Sequence, residues 1–497
     1  MKTCLIALFA MTASAVIASD FRAGFSRVDI TPPLGSFMPG YYKERHAKSV
    51  LDPLQICCVA FSDGRETALI MQFDTEALSD AVASGMRKAV VAATGLKPEA
   101  VLLHASHTHD GGYLAMKPTT GSLTTLDDGV PSQATRVDLV YIDMATTRAA
   151  DAAVQAIADL KPAKLSYQKS EAKRISFGRR WRMRDGSVQT NPGTNHPDAM
   201  EPVDTADEEV QVLRVDREGG KAICVINFQT HPDVVGGETL TADWPGLTRT
   251  VFEAATLGET HCIVINGTEG DVNHCNVKPR PGELNGLTRD FDAVDRGYDH
   301  AKHMANVLAG AALRVWMKCI PLESGDVRCA TTCVKVPANK AKPTDAKNLA
   351  WANEVWALHE KSEKEGIAGS DDDYVARKLG CKGMQLTTEV ARAGRIRRME
   401  SAPDFHEIPL YAFSIGKSVA FGGFPGEPFN DIGVQLKAKS PFALTIFSCL
   451  TNGSRGYFPF AKSYREDGYE AATSPFGPSV ADDLIAGQLK LLGELHR

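Results

Sequence analysis

Residues 67–104 read TALIMQFDTEALSDAVASGMRKAVVAATGLKPEAVLLH. An apolar run of strand length, Thr67 to Phe73, gives way to a segment, Ala77 to Thr94, whose apolar residues recur with the period of a helix. A second apolar run, Ala100 to Leu103, follows. The alternation continues in both directions. Strand-length runs occupy Gln55 to Phe61, Glu209 to Val215, Ala222 to Phe228, Cys262 to Ile265, Ser418 to Phe421 and Leu444 to Phe447. Helical periodicity marks Arg136 to Leu160, Asp292 to Lys318 and Val480 to Leu495. Strands and helices interleaved in this way predict an α/β fold, a large domain with a central mixed β-sheet flanked by helices.

Composition narrows the function classes. The 497 residues are 43% hydrophobic and 23% charged, an ordinary globular balance with enough apolar material for a sizeable core. Lys+Arg number 55 against 61 Asp+Glu, a formal charge of −6, so the basic excess that a nucleic-acid surface requires is missing. At the N-terminus Lys2 precedes the uncharged run Cys4 to Ala18, with small residues Val16 and Ala18 at −3 and −1 of a cut. This predicts a signal peptide over residues 1–19, a secreted or periplasmic protein and no stable membrane span. In that compartment some of the cysteines that follow the leader can pair, although Cys224, Cys262 and Cys449 lie in strand-like runs and read as buried thiols. Between about 340 and 400 the composition shifts to charged helix formers (NEVWALHEKSEKE, TTEVARAGRIRRME), which predicts a solvent-facing helical insertion within a domain spanning residues 20–497.

Where apolar runs end, reactive side chains follow. Val101-Leu-Leu-His-Ala-Ser leads into His107-Thr-His109-Asp-Gly-Gly. Ile223 to Thr230 leads into His231-Pro-Asp233, and Ile263 to Glu269 into Gly270-Asp271-Val272-Asn273. Val419 to Gly426 leads into Glu427, and Thr445 to Asn452 into Arg455-Gly-Tyr457. Ligands of α/β sheets gather outside strand ends, so five such exits predict one site. Imidazoles and a carboxylate arriving from separate strands suit a catalytic zinc, which takes nitrogen and oxygen ligands and keeps a position open for water. Along an extended chain His107 and His109 face the same side. Either both touch the metal, or one ligates while the other handles protons.

The motifs resemble, in order, those of the neutral/alkaline (non-lysosomal) ceramidase catalytic domain: GFSRVDITPPLG, the HTHDGG block at His107, SFGRRW with Arg179 and then NPG, INFQTHP, TADWPG, GTEGDVN, FPGE, RGYFPF and GYEAATSPFGP. The resemblance implies a zinc-dependent amidohydrolase that cleaves an N-acyl bond with metal-activated water. Its metal ligands would be His107, His231, Glu427 and Tyr457. His109 would transfer protons, Arg179 would hold a substrate oxygen, and Tyr469 would donate to the developing oxyanion. Asp243 and Asp271 read as groups that order the loops.

Three departures bear on the substrate. Asn273 stands where the family has a serine proposed as nucleophile. The sequence runs from Pro478 only to Arg497, without the β-sandwich that follows the family's catalytic domain, and no exposed apolar segment suits a bilayer. The expected substrate is therefore a small N-acylated molecule more polar than ceramide. A zinc esterase and a catalytically silent binding protein of the same fold are the alternatives. Formal glycosylation sequons at Asn266 and Asn452 fall inside the proposed site loops.

Overall fold

The computed structural model describes residues 21–41, 45–115, 136–280, 297–340 and 346–497. The leader expected over residues 1–19 lies outside them, as does Asp292. Nine strands form the larger sheet: β1 (Arg22–Asp29), β2 (Gln55–Ser62), β3 (Thr67–Phe73), β4 (Val101–Ala105), β5 (Lys161–Glu171), β6 (Glu209–Arg217), β7 (Ala222–Phe228), β8 (Thr260–Asn266) and β9 (Ile320–Leu322). Their order is β8-β7-β6-β5-β1-β2-β3-β4, with β9 also paired to β5. The centre is antiparallel, whereas β3/β4 at one end and β7/β8 at the other are parallel. A parallel neighbour needs a crossover, and helices supply it: α1 (Asp80–Thr94) joins β3 to β4, and α3 (Asp243–Ala255) joins β7 to β8.

A second, four-stranded sheet consists of β10 (Val327–Pro337), β11 (Phe405–Ile415), β12 (Val419–Gly423) and β13 (Leu444–Ser448), in that order. Its β12/β13 pair is again parallel and bridged by a helix, Asn430–Lys439. The sheets stack face to face through one apolar cluster to which both contribute, including Phe61, Val225 and Ile263 from the first and Phe413, Phe421 and Ile446 from the second. Phe61 meets Phe413 and Phe421 at ring distances of 6.1 and 5.7 Å. Helices α1 and α2 (Arg136–Ala158) cover one half of the larger sheet's outer face, and α3 with α4 (Tyr298–Trp316) cover the other. The C-terminal helix Val480–His496 covers the second sheet. The result is four layers, α/β/β/α. The runs Ser418 to Phe421 and Leu444 to Phe447 are strands as expected, but they belong to the second sheet. Being buried on both faces, they carry no alternation that would say which sheet they join.

Most element ends follow local chemistry. Helix α1 starts later than the periodicity suggests because Ser79 caps it, its hydroxyl accepting the Val82 N–H, and Gly95 closes it in the left-handed conformation (φ 75°). Between β10 and β11 the chain forms helices Ala346–Lys364, Tyr374–Leu379 and Gly383–Glu400 around a small core that includes Val355, Leu386 and Val390. Arg395, within the basic run of the last of these, turns inward and donates to the carbonyl oxygens of Asn339 and Ala472. All ten described cysteines are free. Among the described residues no helix is long and apolar enough to cross a membrane.

Candidate metal centre

The three parallel strand pairs aim their C-terminal ends at one place. A polar seam fixes them side by side: His104 Nδ1 donates to Cys449 O (2.8 Å) and its Nε2 accepts the Asn266 N–H (3.1 Å). The Asn266 amide reaches Ser106 O, and the Asn452 side chain bridges the Leu103 N–H and Val101 O. Both sequon asparagines are thus buried with their amides engaged, which leaves no place for a glycan in the folded protein.

Beyond this seam the chain turns sharply after β4. His107 takes a left-handed φ of 74°, a conformation that costs a non-glycine residue of order 1 kcal/mol or more and is held here by its N–H bond to Thr75 O. Its ring Nδ1 lies 2.8 Å from Glu76 O, so Nδ1 carries a proton and Nε2 points inward. His231, following β7, is oriented alike, with Nδ1 2.9 Å from Glu269 O and 3.2 Å from Val272 O. Between the two imidazoles sits Glu427, its Oε2 3.5 Å from His107 Nε2 and 3.2 Å from His231 Nε2. A two-residue parallel pairing sets Glu427 directly beside Tyr457, whose ring stacks along His231 at 6.5 Å. His109 Nε2 lies 3.4 Å from His107 Nε2. These three histidines, and separately His107, His231, Glu269 and Glu427, present ligand atoms that all lie within 4.8 Å of one another, a geometry that can hold a metal ion.

Electrostatics support a cation. Burial opposes protonation of His107, but Glu427, Glu269 and Glu76 outweigh it and lift its pKa to about 10. His107 and His231 in turn hold Glu427 well below the carboxylate range. Glu76 is pushed up to about 7, chiefly by burial. His231 Nε2, Glu427 Oε2 and both Glu269 oxygens are buried without a well-formed hydrogen bond. His107 Nε2, His231 Nε2 and Glu427 Oε2 face one point, with Nδ1–H groups fixed behind the rings, which is what a nitrogen- and oxygen-binding dication needs.

The remaining candidates flank this cluster. Arg179 stands over the Tyr457 ring at 5.4 Å, and its Nε and Nη2 are taken by Glu470 Oε1 (2.7 Å) and Gly270 O (2.8 Å). Tyr469 is half-buried, its ring edge-on to Tyr457 at 5.7 Å. Asp243 accepts the N–H groups of Val234 and Val235 and so pins the loop after His231. Asp271 accepts the Asn430 N–H. Asn273 binds Asn191 Oδ1 through its amide (3.3 Å).

Sequence reasoning missed Glu269 and Glu470. Glu269 sits at the end of β8 in a motif already singled out, so position could have found it. Glu470 is adjacent to Tyr469, but its partner Arg179 lies far away in sequence.

A neutral ceramidase from Pseudomonas aeruginosa superposes with a TM-score of 0.65 over 96% of this chain and 75% of its own, at 15% identity. The chain has the neutral ceramidase fold. A ceramidase complexed with C2 gives a TM-score of 0.62 over 96% and 76%, at 16% identity. Neither a protein-family model nor a curated protein sequence matches.

Proposed function

We propose that the protein is a secreted zinc-dependent amidohydrolase that cleaves an N-acyl bond in a substrate more polar than ceramide. The observation that carries this reading is the convergence of His107, His231 and Glu427 on one buried point, with Tyr457 in register beside Glu427. Those four residues would hold the metal. When bound, zinc polarises a carbonyl and lowers the pKa of water towards about 7.

The chain's own groups do the rest. Glu76 O and the two carbonyls behind His231 keep both Nδ1 atoms protonated, so each Nε2 is available as a ligand. His109, in reach of the same point but turned by 83° from the His107 ring, is placed to accept a proton from water and return it to the leaving amine. Tyr469, half-buried beside Tyr457, donates to the oxygen on which charge develops. Arg179, with Nε and Nη2 already occupied, acts on Tyr457 more than on substrate: its positive charge beside that ring opposes the burial and the Glu427 charge that raise the pKa of the phenol. Asn273 offers no nucleophile, so the attacking group is water.

The test is release of amine from a panel of N-acyl amino acids, N-acyl amino sugars and ceramide by the purified protein. Chelator-sensitive hydrolysis that favours the polar members is expected. Hydrolysis that survives stripping to below about 0.1 zinc per chain would refute the metal reading, since a structurally sufficient zinc enzyme needs its ion.

A further inference from the structure

The Glu269 side chain lies directly against a ring of the cluster. It is fully buried, and among the described residues its carboxylate meets His231 Nδ1, 2.8 Å from Oε2, and the Cys449 thiol. Otherwise neither oxygen has a hydrogen-bond donor. Among the described residues its ion-pair partner is the ring of His231. The carboxylate is not needed to orient His231, because the carbonyl oxygens of Glu269 and Val272 already accept the Nδ1–H. What the side chain adds is negative charge on the far side of a ring whose Nε2 faces Glu427.

We propose that Glu269 is a positioning residue of the metal site whose carboxylate, acting through the Nδ1–H of His231, makes Nε2 a stronger donor and tightens cation binding. This rests on reading the cluster as a metal centre. Polarising the Nδ1–H bond pushes electron density onto Nε2, and the charge behind the ring offsets part of the dication's own.

The experiment measures zinc affinity by competition with a chromophoric chelator, together with thermal unfolding of metal-stripped protein, for wild type, Glu269→Gln, Glu269→Asp and Glu269→Ala. Glu269→Gln, nearly isosteric and still an acceptor, should weaken zinc binding by about 10–100-fold, as far as Glu269→Ala does. Glu269→Asp, which keeps the charge, should recover at least half of that loss on a logarithmic scale. Stripped Glu269→Gln should unfold within a few degrees of the wild-type temperature, so the loss of affinity cannot come from misfolding. Wild-type affinity in Glu269→Gln would overturn the proposal while leaving the metal centre standing. A wild-type protein that binds no zinc would overturn both.

Discussion

Two buried polar regions lie next to each other at the ends of the parallel strands, and they are built on opposite principles. In the seam, His104, Asn266 and Asn452 each spend their donors and acceptors on neighbouring backbone. In the cluster one turn further on, His231, Glu269 and Glu427 keep buried atoms without such partners. A satisfied network rigidifies the strand ends. An unsatisfied one costs stability unless a ligand completes it, so the contrast separates what holds the site from what the site holds.

The largest effect should come from the cluster. His107→Ala is expected to lower amide hydrolysis by on the order of 10³-fold, the several kcal/mol that a metal ion supplies, and to abolish stoichiometric zinc in elemental analysis. The same change strands the buried Glu427 without one of its imidazole partners, so the stripped protein should unfold at a lower temperature than wild type. A His107→Ala protein that keeps its zinc would break the comparison. Tyr469→Phe, which removes a single donor beside Tyr457, should reduce kcat by about 10²-fold or somewhat more and leave KM nearly unchanged in steady-state assays.

The seam should answer in stability alone. His104→Ala strands the Asn266 N–H and the Cys449 carbonyl and leaves a cavity, at a cost of about 2–4 kcal/mol in urea unfolding, with zinc content unaltered. His104 also sets a pH dependence. Burial holds its pKa near 4 in the folded protein, below the unfolded value of 6.5, so its contribution is complete above pH 6.5 and is lost as pH falls from 6.5 towards 4. The loss amounts to about 3 kcal/mol, and His104→Asn should flatten that part of the stability profile. A pH effect sharpens the contrast from the other side: because His107 has its pKa raised to about 10, zinc must displace its proton, and affinity should rise by at least tenfold per pH unit between 6 and 8. Calorimetry in buffers of different ionisation enthalpy would count the protons released.

Much of this was legible in the sequence because function sits where hydrophobic runs stop. His107, His231 and Glu427 each follow a strand within a few residues, and the α/β alternation that starts at Thr67 is local. Less legible was whatever depends on contacts between distant segments. Strands β1, β5, β9, β10 and β11 escaped notice, β5 and β10 because their half-exposed patterns offer no long apolar run. The second sheet was invisible as a separate layer because its buried strands read like those of the first. Tyr457, an aromatic in a Gly-rich stretch, gained meaning only from its motif, and the structure then set it beside Glu427 through a two-residue pairing that no local pattern announces. Glu470 likewise has no signal of its own until Arg179 arrives from another part of the chain.

The central claim is that the unsatisfied cluster is a zinc site with a defined ligand set. Anomalous diffraction at the zinc edge from crystals of the zinc-loaded protein tests it most directly. The account predicts a single strong peak about 2.0–2.2 Å from His107 Nε2, His231 Nε2, a Glu427 oxygen and the Tyr457 oxygen. No peak at that point, or a zinc held elsewhere by other residues, would contradict it.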